Sequence, residues 1–111
     1  MAMDFRPLGV QNRTMSTKFP RSPYDREGGL VYFPRMIGKI RMQMAGDLPS
    51  DYHANLGSGF DLRCCEFLNV DYDTLAAKVR SGGSDEDLLE WCFATGRRPQ
   101  EKEIFMWNEY L

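Results

Sequence analysis

The chain has 111 residues, 42% of them hydrophobic and 13% aromatic, with a formal net charge of −2. That is enough for one domain with a modest core and too little for two. Residues 1–41 hold eight Lys/Arg against three Asp/Glu, whereas residues 42–111 hold six against thirteen.

A basic front half of this kind either docks on the acidic half or stays available to an anion. The arm residues Arg6, Arg13, Lys18 and Arg21 could touch nucleic acid, but the acidic remainder argues against nucleic acid as a partner. Three cysteines, Cys64, Cys65 and Cys92, form no C-x-x-C pair, and reduced thiols in a cytoplasmic protein are the simplest expectation. With a single histidine, His53, no zinc site is expected. The glycine doublets lack nucleotide-loop spacing, so no cofactor is expected either. The first residues show no apolar segment of signal-peptide length, and no run is long enough to span a bilayer, so no membrane partner is expected.

Residues 1–18 have no periodicity and read as a disordered or extended arm, in which Met15 offers an alternative start. Phe19-Pro20-Arg21-Ser22-Pro23-Tyr24 carries two prolines and reads as an extended strap across helices. Leu30–Ala45 reads as the longest helix, with Leu30, Phe33, Ile37, Ile40 and Met44 on one face. Pro34 restricts its start to between Leu30 and Phe33. Arg35 and Lys39 are then i,i+4 neighbours on the polar face, while Arg41 borders the apolar stripe and needs a partner. Mid-helix Gly38 suggests close approach by another element.

Gly46 and Pro49 stop that helix, and residues 46–59 read as a loop holding Tyr52, His53 and Asn55. Phe60–Leu68 follows as a short helix with Asp61 and Arg63 on its flanks. Asp71 caps a helix over Tyr72–Ser81. Ser84-Asp85-Glu86-Asp87 is the strongest local signal, a capping box opening a helix that Gly96 closes. Pro99, Glu101 and Glu103 open the last helix, with Ile104, Trp107 and Leu111 inward. No strand alternation persists. The expected fold is all-α, a single small domain of about five helices over 19–111, with an extended Pro-rich N-terminal strap.

The stretches P-R-S-P-Y-D, G-G-L-V-Y-F-P-R-M-I-G-K-I-R, D-Y-H-A-N-L-G-S-G-F-D-L-R and G-S-D-E-D-L-L-E-W together resemble an uncharacterised bacterial family, a domain of unknown function. The resemblance runs from about Phe19 to Leu111. It implies a shared fold and supplies no activity.

Chemistry therefore has to be argued from the residues. Arg35, Lys39, Arg41, Asn55 and Arg63 converge with His53 and Asp61 if the loop folds back on the first helix. Several cations with an amide suit a carboxylate or phosphate ligand. As the single histidine, His53 with Asp61 would supply any acid–base step, so binding and catalysis both stay open. In the plainer arrangement Arg41 pairs with Asp61, Arg35 and Lys39 are solvated, and His53 bonds a loop carbonyl. The alternative function is a protein–protein interaction or homo-oligomerisation module, built on an exposed apolar patch at the strap or last helix.

Overall fold

The computed structural model describes residues 19–111, so the arm over 1–18 lies outside the described residues. Within them two short strands, β1 (Arg26–Glu27) and β2 (Leu30–Val31), precede five α-helices: α1 (Phe33–Ala45), α2 (Phe60–Leu68), α3 (Tyr72–Arg80), α4 (Asp85–Thr95) and α5 (Glu101–Tyr110). A 3-10 helix, Ser50–Asn55, interrupts the segment expected to be loop. The domain is helical apart from one hairpin, and the strap precedes it.

The hairpin corrects the reading of Leu30 as helical. Gly28 and Gly29 both have positive φ, 57° and 81°. Two consecutive left-handed residues form the tight turn whose twist matches an antiparallel pair. Arg26 consequently pairs with Val31 and Glu27 with Leu30. A side chain at Gly28 would also meet Leu89 Cδ2 at 2.8 Å, so α4 lies directly against this turn. The outer edge of β2 is met by α5. Asn108 Oδ1 accepts from the Val31 N–H at 3.1 Å, and Trp107 Nε1 donates to the Val31 carbonyl at 2.9 Å.

The helix proper starts after Tyr32, whose φ of 76° turns the chain sharply from strand into α1. Pro34 falls within the first turn, as its missing N–H requires. Helix α1 is the central element, packed against β1, α3 and α4. Phe33, Pro34, Met36, Ile37, Lys39 and Ile40 are all buried, so its first half is enclosed on most sides. Only towards Met44, half exposed, does the stripe run out into solvent. Gly38 faces the strap: a Cβ there would lie 3.9 Å from the Arg21 side chain.

The later helices begin where their caps stand. Asp71 accepts from the Thr74 N–H, Ser84 and Asp87 close a reciprocal box, and Gln100 with Glu103 does the same for α5. Pro99 sits before that cap rather than inside the helix. Asn69 ends α2 in a left-handed conformation, φ 59°. The chain then passes so close to α4 that a Cβ on Gly96 would lie 2.0 Å from the Leu68 carbonyl oxygen. Leu88, Leu89 and Cys92 form the inner face of α4, while Thr95 is exposed.

Cys64, Cys65 and Cys92 are free and buried in the core. Burial pushes the thiols of Cys65 and Cys92 up to about 12, and that of Cys64 well above its ordinary value. The native state therefore keeps three protons that the unfolded chain releases near pH 9. Stability from these groups is full below pH 9 and is lost as pH rises towards 12. Urea midpoints measured at pH 7, 8 and 10 should be level over the first step and fall over the second. The expected fall is up to about 1.4 kcal/mol for each thiol per pH unit. A level midpoint to pH 10 would contradict this burial.

Candidate functional site

Asp61 opens α2 and is fully buried, at 0% exposure. A carboxylate in that position must find donors, and three segments supply them. The Tyr32 hydroxyl donates to Oδ1 at 2.7 Å and Lys39 Nζ lies 2.9 Å from the same oxygen. The Gly57 N–H donates to Oδ2 at 3.0 Å. Gly57 is in turn held by shape: its φ is +75°, and a Cβ there would meet the Tyr72 ring at 2.9 Å. Position in the first turn of α2 adds the positive end of the helix dipole to this carboxylate's surroundings.

Tyr32 also accepts from Lys39 Nζ at 3.3 Å. Burial, then the hydrogen bond and charge of Asp61, push its hydroxyl far above the ordinary tyrosine value, against the opposing pull of Arg35. Tyr32 is thus a held proton donor, not a phenolate base. Its left-handed backbone is one that a bulky residue adopts at a cost of about 1–3 kcal/mol, and such strain collects at functional sites.

Above this cluster opens a cleft of about 390 Å³. Pro23 and Tyr24 of the strap, Tyr32 just before α1, Arg35 and Lys39 of α1, and Tyr52 and Asn55 of the 3-10 helix line it. Ser58, Gly59, Phe60 and Leu111 complete the lining. Arg35 is half-buried. Its Nη1 donates to the Arg21 carbonyl at 2.9 Å, and its guanidinium carbon is 5.9 Å from the Tyr52 ring centre.

Of the residues singled out from sequence, Arg35, Lys39 and Asn55 line one cleft, and Asp61 lies behind it without reaching solvent. Lys39 was expected on a solvated face and is instead 4% exposed, because the strap and the Asp61 segment cover that side of α1. Arg41 does not pair with Asp61. It bonds Asp85 and the Gly83 carbonyl, and Asp85 also receives Arg21 Nη1 at 2.9 Å. The strap is therefore clasped to the start of α4 on a different side of α1. His53 Nε2 lies 2.9 Å from the Leu48 carbonyl, inside its own loop, and is not among the cleft residues. Arg63 is exposed and borders a second, more open groove with Arg97, Met106 and Trp107. Among the described residues no cluster of three or more His, Cys, Asp or Glu is placed to hold a metal ion. Nor does any helix there have the length and apolarity to cross a membrane.

Sequence reasoning missed Tyr32, the centre of the cluster, and Tyr24 and Phe60 on the cleft walls. One signal for Tyr32 was present: it stands directly between a G-G turn with its strand and a helix opening on Pro34.

Residues 17–111 match a family described as a domain of unknown function, DUF5069. The chain belongs to that family, as its motifs suggested. Neither a curated protein nor a solved structure matches it significantly.

Breaking one half of a buried ion pair strands the other charge, whereas replacing both with apolar groups does not. Lys39→Met and Asp61→Leu should each lose about 3–5 kcal/mol of unfolding free energy. The double variant should lose far less than the sum, as measured by urea denaturation. Additive losses would mean that the two side chains do not act as a pair.

Proposed function

We propose that this protein binds an anionic small molecule, a carboxylate or phosphate, in the cleft over Lys39. The observation that carries this reading is the state of the Lys39 ammonium. It lines the cleft yet is almost wholly buried, and among the described residues its polar partners are Asp61 and Tyr32. An ammonium has three protons, so one is left for an acceptor entering from the cleft. Arg35, one turn earlier on α1, keeps the donors that the Arg21 carbonyl and the Tyr32 side chain do not use. Two cations lining one cleft suit an anion.

Binding is favoured over catalysis. Tyr32 is locked as a donor to Asp61, Asp61 has no access to the cleft, and His53 is engaged with Leu48. Tyr32 and Asp61 hold Lys39, and none of the three presents a base to a substrate. Three free, buried cysteines are consistent with a reducing cytoplasmic location.

A thermal-shift screen of anionic metabolites tests the site. A ligand held at 100 times its Kd should stabilise the wild type by about 2.7 kcal/mol. Arg35→Gln should abolish that shift and His53→Ala should leave it unchanged. A shift retained in Arg35→Gln would place the ligand elsewhere.

A second reading, a homo-oligomerisation surface, has its own observation. Phe105 and Met106 on α5 are 64% and 66% exposed, and Tyr110, Phe60 and Leu62 are exposed alongside. That many large apolar side chains on neighbouring helices mark a surface used for contact. Light scattering at increasing concentration should show a dimer that Met106→Glu dissociates. A monomer at all concentrations removes this reading.

A further inference from the structure

The outward face of α5 carries its charges in an order that fits a second copy of itself. We infer that this protein dimerises by packing α5 antiparallel on α5 of a second copy, so that Lys102 of each faces Glu109 of the other. This deepens the homo-oligomerisation reading above and rests on it, and it is independent of the anion site.

Helical spacing defines the face. Trp107 and Asn108 bond the Val31 backbone and Ile104 packs against the core, so these residues mark the inner side of α5. Lys102, Phe105, Met106 and Glu109 stand at i, i+3, i+4 and i+7 on the opposite side, and all four are exposed. Lys102 and Glu109 are two turns apart, about 10 Å along the axis, with the apolar pair between them. Beside Met106, the exposed Tyr110 meets the Phe60 ring at 6.2 Å between centres, which widens the apolar area towards α2.

Charge decides the occupant. Among the described residues neither Lys102 nor Glu109 forms an ion pair, although Arg97 with Glu103 and Arg98 with Glu90 pair close by. A twofold axis crossing α5 between Phe105 and Met106 brings the apolar side chains of the two copies together. The same axis sets Lys102 opposite the partner's Glu109 at both ends of the contact. Parallel helices would instead oppose Lys102 to Lys102 and Glu109 to Glu109, placing like charges together. A foreign apolar helix would leave both charges unmatched. The pattern thus selects a second copy and one orientation for it.

Size sets the strength. A contact centred on one helix of ten residues falls at the low end of specific interfaces, under about 1,200 Å² in total. The dimer is accordingly weak and forms with rising concentration.

The test is sedimentation velocity at low salt on the 111-residue chain, from about 10 μM to about 1 mM. The wild type should pass from monomer to dimer over this range. Lys102→Glu and Glu109→Lys should each weaken association about tenfold, because two symmetric contacts turn from attraction to repulsion. Glu109→Lys is the sharper variant: it takes the formal net charge from −2 to zero, which by itself would ease association. Both substitutions suit the dipole of α5, an anion near its start and a cation near its end, so the helix is kept. The double variant, and an equimolar mixture of the two single variants, should regain wild-type association, since opposite charges again face each other. A wild type monomeric throughout overturns this inference and the oligomerisation reading together. A dimer lost in Met106→Glu but indifferent to the charge variants overturns the antiparallel pairing and leaves that reading standing. Weakening by the single variants without recovery in the mixture overturns the pairing likewise. A dimer that survives Met106→Glu overturns the α5 surface itself.

Discussion

The carboxylate of Asp61 is the group around which the remainder is arranged. It sits at zero exposure, in surroundings where an ion without partners would not be tolerated. Tyr32 comes from the junction between hairpin and helix, Lys39 from the second turn of α1, and Gly57 from the loop before α2. Each is held in turn by something that is not free to move. Tyr32 has a left-handed backbone, Lys39 lies on a helix enclosed on most sides, and Gly57 has no room for a side chain against Tyr72. One buried oxygen pair therefore ties the hairpin–α1 junction and α1 to the start of α2, 29 residues beyond Tyr32. Buried ion pairs add little stability of their own. Here the pair sets a geometry, and the cleft lies directly above it.

That arrangement separates two kinds of cation on the same helix. Lys39 is committed to the interior and offers the cleft one proton. Arg35 leans across the cleft between a backbone carbonyl and an aromatic ring. Arg41, which resembles them in sequence, serves instead to clasp α1 to the start of α4 through Asp85, where Arg21 joins from the strap. The basic front half of the chain is thus divided between closing the fold and lining a site.

Local signals were legible and long-range ones were not. Ser84 and Asp87, Asp71, and Gly46 act within a few residues of themselves, and their helices begin or end where the caps predict. Phe60–Leu68 has the expected bounds. The failures share a cause. Periodicity places Lys39 and Asp61 at the polar side or edge of their helices, and it carries no information about which distant segment will cover that side. Arg41 was correctly marked as needing a partner, but the partner, Asp85, is 44 residues away and its identity depends on how α4 crosses α1. The hairpin is a local signal that the helical reading of Leu30–Ala45 passes over: the consecutive glycines Gly28-Gly29, both at positive φ, form a reversing turn between Arg26–Glu27 and Leu30–Val31.

The meeting of α5 with β2 has a further consequence. A strand of two residues at the rim of a small domain ordinarily exposes backbone groups that another extended chain can pair with. Here one side of β2 is taken by β1, and on the other the Val31 amide and carbonyl are capped by Asn108 and Trp107 side chains. The last helix consequently works as a guard. With it in place, β2 presents no template for strand addition, and a chain cut before Asn108 would uncover one. Integrity of α5 is thus a matter of preventing strand-to-strand association as well as of filling the core.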